Sequence, residues 1–99
     1  MVINTTITSR RPRPDPNSGI NNPGEFDRLL PDEKRAVLKE ISAMIEPAGK
    51  VLPFQSTYSL KHRLSMYITN GAIKGACLAL GFRVVDESRL NWQLYARLK

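Results

Sequence analysis

The hydrophobic pattern changes period near Gly81, and that change limits the fold more than any other feature of the sequence. Before it, apolar residues recur at helical spacing: Val37, Leu38, Ile41, Met44 and Ile45 form one stripe, Leu60, Leu64 and Tyr67 a second, and Ile73, Ala76, Cys77 and Leu80 a third. After it, Leu90, Trp92, Leu94, Ala96 and Leu98 alternate with Asn91, Gln93, Tyr95 and Arg97, the pattern of a half-buried strand. Helices followed by strands specify an α+β domain.

Local signals set the boundaries. Pro31 suits a first helical position, Asp32 and Glu33 place negative charge on the positive end of the helix dipole, and Pro47 with Gly49 is expected to end that helix. Val51-Leu52-Pro53-Phe54 reads as an edge strand at most, because Pro53 has no N–H for a central ladder. Ser56 or Thr57 caps a second helix, and Thr69 or Asn70 caps a third that stops at Gly81. Phe82-Arg83-Val84-Val85 is a further strand, joined to the last by the polar loop Asp86-Glu87-Ser88-Arg89. The expected order is helix, short strand, helix, turn, helix, strand, loop, strand. It is the order of a small winged helix-turn-helix-like domain of three helices and a C-terminal β-hairpin, in which the third helix reads the major groove.

Residues 1–24 read as a disordered basic arm and residues 25–99 as the domain. Four of the seven prolines lie in the arm, and Ile3, Ile7 and Ile20 are too scattered to bury much. At 99 residues, 41% hydrophobic and 24% charged, the chain has the composition of one small globular domain. The longest apolar run is Ala76-Cys77-Leu78-Ala79-Leu80, far short of the roughly 18 residues a membrane helix needs, so a cytoplasmic protein is expected. One Cys and one His make no disulfide and no Cys/His zinc site by themselves, and no cofactor is implied.

Charge is segregated within the net +6. Residues 25–49 carry four bases against six acids, whereas residues 50–99 carry eight bases against Asp86 and Glu87. From Lys50 through Arg83 there are five bases and no acid. A basic region of this kind fits a polyanion, and duplex DNA is the expected partner. Lys61, Arg63 and Arg83 are candidate DNA contacts, with Asn70 and Lys74 reaching base edges from the third helix and Arg10, Arg11 and Arg13 following the backbone from the arm. Gly71 and Gly75 on that helix face allow close backbone approach. With Leu78 they equally describe a protein-binding face, the surface of an effector that inhibits a host protein. Asp86 and Glu87 at the tip of the hairpin carry the wrong sign for a DNA-binding wing.

Elsewhere the sequence favours plain structure. His62 reads as a solvated helix residue, Cys77 as a small core residue and Trp92 as the centre of the core. No nucleophile–base pair, phosphate loop or paired carboxylate occurs at useful spacing, so catalysis is not expected. Over residues 56–98, the block Ser59-Leu60-Lys61-His62, Tyr67-Ile68-Thr69-Asn70-Gly71, Lys74-Gly75-Ala76, Gly81-Phe82 and Leu90-Asn91-Trp92 resembles small uncharacterised proteins of bacteriophages and mobile elements of Gram-positive bacteria. The resemblance implies a phage or mobile-element origin and brings no reaction or ligand; the DNA-binding accessory or regulatory role expected here rests on charge and element order, not on the resemblance.

Overall fold

The computed structural model describes residues 15–53 and 56–99. Two 3-10 turns, Gly19–Asn21 and Pro23–Arg28, precede helix α1 (Pro31–Met44), strand β1 (Ile45–Val51), helices α2 (Thr57–Arg63) and α3 (Asn70–Ala79), and strands β2 (Arg83–Val84) and β3 (Leu94–Leu98). The antiparallel sheet has the order β1-β3-β2. Among the described residues this is a small α+β domain.

Helix α1 starts where Pro31 takes the first turn and Glu33 reaches back to accept the Leu30 N–H at 2.8 Å. It ends at Met44, before the expected stop at Pro47, because Ile45 turns extended and enters the sheet. The strand expected at Val51 therefore begins six residues earlier, and Phe54 lies outside the described residues. Pro47 sits in β1 opposite Ala96, and the register slips between Pro47 and Val51. The sheet tolerates both because β1 is an edge strand. Leu52 N–H to Leu94 O (2.9 Å) and Lys99 N–H to Met44 O (3.0 Å) extend the pairing at either end.

Helix α3 is closed at both ends as the sequence predicts. The Thr69 hydroxyl accepts the Ala72 N–H at 3.2 Å. At the other end Gly81 adopts φ +84°, and the Phe82 and Gly81 N–H groups reach the Cys77 and Leu78 carbonyls, the paired bonds of a Schellman stop.

Val37, Ile41, Ile45, Leu60, Ile73, Cys77, Leu94 and Ala96 bury together, with Leu38, Met44, Leu64 and Leu80 packed at the margin. The final strand is shorter than its alternation suggests. Leu94 and Ala96 face the core, whereas Leu90 and Leu98 are exposed and Trp92 lies outside the strand. Trp92 is nevertheless buried, clasped to the start of α2 by Thr57 N–H to Trp92 O (2.9 Å) and Trp92 N–H to Thr57 Oγ1 (3.0 Å).

The N-terminal segment departs most from expectation. Residues 15–24, read as part of a free arm, are turns packed with Pro23–Arg28 across the outer face of α3. Asn22 builds the corner of this strap by accepting the Gly24 N–H on its side chain at 2.7 Å. Phe26 and Leu29 pack against the core.

Candidate functional site

The strap decides which basic residues are available. A Cβ on Gly71 would overlap the Asn22 backbone, whose carbonyl carbon and amide nitrogen would stand 2.8 Å away, and one on Gly75 would overlap the Pro23 carbonyl and the Phe26 side chain. The two glycines thus do admit close backbone approach, but the backbone is the chain's own. Asn70, Gly71, Lys74 and Gly75, expected on an open face for DNA or for a partner protein, are all buried. Leu78 alone of that face remains exposed, at 43%.

Lys74 is fully buried, at 0% exposure. Its ammonium donates to Asn17 Oδ1 at 2.7 Å and to the Pro16 carbonyl at 2.9 Å, and lies 4.9 Å from the centroid of the Trp92 ring. Burial holds its pKa below the usual lysine value, an effect that the charge of Asp15 opposes. Asn70 is occupied in the same way: its amide nitrogen lies within hydrogen-bonding distance of Asn21 Oδ1, Leu90 O and Asn91 Oδ1. The hairpin loop completes the cover, since Glu87 O accepts both the Asn17 amide at 2.6 Å and the Trp92 indole N–H at 3.1 Å. The strap thus covers α3, while Asp86 and Glu87 put negative charge on the exposed loop between β2 and β3.

Of the candidate contact residues, Lys61 and Arg63 lie together with His62 on α2, while Lys39, Lys50, Arg83 and Lys99 are exposed elsewhere on the fold. Lys61, His62 and Arg63 occupy the last turn of α2, where positive charge also complements the helix dipole. Arg63 and His62 are exposed and Lys61 is half-buried. Among the described residues no carboxylate pairs with Lys61 or Arg63; the four ion pairs are Arg28–Glu25, Arg35–Asp32, Arg89–Asp86 and Arg97–Glu46. Two aromatic side chains join the cluster. Tyr58 meets His62 edge-on, with ring centroids 4.5 Å apart, and the Lys61 ammonium stands 5.1 Å from the centroid of Tyr67. A shallow cleft of about 370 Å³ runs between Lys61, His62, Leu64, Ser65, Met66 and Tyr67.

Glu40 on α1 fixes the turn beside this cleft. Its carboxylate accepts the Ser65 hydroxyl at 2.6 Å and the Ser65 N–H at 2.9 Å, and these bonds, the hydroxyl first, hold its pKa below the ordinary glutamate value. Both oxygens are therefore engaged, and the lowered pKa keeps this carboxylate ionised beside the turn.

Arg83 is not part of the cluster. It pairs with Tyr95 across β2 and β3, its guanidinium 4.5 Å from the Tyr95 ring centroid, on the sheet face opposite Leu94 and Ala96. Arg10, Arg11 and Arg13 lie outside the described residues. Cys77 is buried, and burial pushes its thiol up to about 12, the state of an inert core cysteine. Among the described residues, no group of three or more His, Cys, Asp or Glu side chains is placed to hold a metal ion, and no helix is long and apolar enough to cross a membrane. Sequence reasoning placed Arg63 facing outward, as it does, and Lys61 as well, which is half-buried; it put Tyr67 on the buried stripe with Leu60 and Leu64, whereas Tyr67 lies past the end of α2 and is 86% exposed, and it did not single out Tyr58, three residues before Lys61. Comparisons with protein families, curated proteins and solved structures find no match for this chain.

Proposed function

We propose that the chain is a winged helix-turn-helix-like accessory protein that binds nucleic acid through α2 and the turn after it, not through α3. The helix order with a β1-β3-β2 sheet supports the architectural part of this reading, since the β2–β3 hairpin takes the place of the wing. The observation that carries the functional part is the cluster Lys61, His62 and Arg63, accessible and free of carboxylate partners among the described residues, while the α3 face is filled by the strap. Phosphates are the ligand such a cluster suits, because base edges in a major groove require a helix or ribbon that can enter it. Binding is accordingly strong in its salt dependence and weak in its sequence preference.

Titration of a mixed-sequence duplex at several salt concentrations tests this. The expected result is affinity that falls steeply with salt and differs little between sequences. Absence of binding at low ionic strength refutes the proposal, and retention of a host protein by the purified chain in its place supports the effector reading.

A further inference from the structure

Tyr67 is the most exposed large apolar side chain among the described residues, at 86%, and Tyr58 on the same cluster is 51% exposed. Rings of this size are not left open by packing requirements elsewhere in this fold, where Trp92 and Phe82 are buried. Each is also oriented by a base: Lys61 stands over Tyr67, and His62 meets Tyr58 edge-on one helical turn away. Arg63 adds a third accessible base beside them. An intact duplex offers phosphates to such a surface but keeps its base faces stacked inside, so it has nothing to lay on an exposed tyrosine. Unpaired bases do, because every base has a π-face and aromatic stacking tolerates any sequence.

We infer that Tyr67 and Tyr58, with Lys61, His62 and Arg63, form a stacking platform for single-stranded DNA, in which the rings hold bases and the cations follow the phosphates. The inference rests on the nucleic-acid reading above and narrows its substrate. The cleft from Lys61 to Tyr67 takes a base beside the Tyr67 ring, with the Lys61 ammonium placed for the adjoining phosphate. No acid occurs in the sequence from Lys50 to Arg83, so the cations of the cleft have no carboxylate neighbour on their own segment, and Glu40, held by Ser65 from α1, brings one negative charge beside the turn.

The test compares a fluorescein-labelled oligothymidylate of about 12 nucleotides, within the usual span of such sites, with a mixed-sequence duplex. Tyr67→Ala and Tyr67→Phe are measured beside wild type; the exposed position leaves the fold intact, which circular dichroism verifies. The expected result is that Tyr67→Ala weakens oligothymidylate binding about ten-fold or more while Tyr67→Phe keeps it, and that duplex affinity changes less than about two-fold. Lys61→Gln lowers the single-strand salt slope by about 0.7. If the duplex binds with steep salt dependence but Tyr67→Ala leaves oligothymidylate affinity unchanged, the platform is refuted and the phosphate-binding reading stands. If neither probe binds at low salt, both fall together.

Discussion

A methyl group added at Gly71 distinguishes a covered helix from an open one by the sign of its effect. On an open face, Gly→Ala in a helix interior stabilises by about 1 kcal/mol, because alanine loses less backbone entropy on folding. Beneath the strap the same methyl would overlap the Asn22 backbone, and backbone, unlike a side-chain tip, gives way only by moving the whole segment. Moving it breaks the Asn21 contact with Asn70, strips Lys74 of its Asn17 and Pro16 acceptors and loosens Phe26 and Leu29. Overpacking of this kind costs about 1 to 3 kcal/mol, more than the helical gain returns. Gly71→Ala and Gly75→Ala should therefore each lower stability by about 1 to 2 kcal/mol in urea unfolding, with Trp92, the sole tryptophan, as the fluorescent probe. Amide exchange in residues 18–29 should accelerate in both variants. A rise in stability of about 1 kcal/mol in either variant would refute the strap.

Three further outcomes follow from individual side chains. Trp92→Ala should cost about 3 to 5 kcal/mol and abolish the cooperative melt near the parent temperature, since it removes the ring against Lys74 and the indole N–H bond to Glu87. Ser65→Ala should raise the Glu40 pKa toward its ordinary value in a carbon-detected NMR titration; an unchanged Glu40 would contradict the assigned bonds. Because that pKa is lowered in the fold, its stabilisation is complete above the unfolded glutamate value and disappears as pH falls through the folded one. Cys77, with its thiol pushed up to about 12, should resist iodoacetamide at pH 8 until the protein unfolds; rapid labelling of native protein would place it at the surface.

Elements fixed by their own neighbours were legible in the sequence. Helix α3 is one such case, because Thr69 caps it, Gly81 stops it and the stripe Ile73, Ala76, Cys77 lies on one face. Helix α1 was legible in its buried stripe but not in its end, because an edge strand accepts Pro47 and so lets the sheet claim Ile45. The site was legible only as charge. Gly71 and Gly75 announced that some backbone comes close, yet glycine carries no side chain to say which, and the answer lay about fifty residues upstream in Asn22 and Pro23. Lys74 was hidden for a related reason: its acceptors are a carbonyl and an amide of a proline-rich segment, which no helical periodicity marks. Trp92 alternates in sequence as a strand residue but is held instead by the Thr57 backbone and hydroxyl.

The claim that phosphates meet α2 and not α3 is tested most directly by salt slopes of duplex binding for two variants. The double variant Lys61→Ala/Arg63→Ala should lose close to two units of slope in log affinity against log salt, about 0.9 for each phosphate contact removed. Lys74→Met, whose ammonium already lies against Trp92, Asn17 and Pro16, should keep the wild-type slope. A slope that flattens in Lys74→Met and persists in the double variant would return the contact surface to α3 and contradict the account.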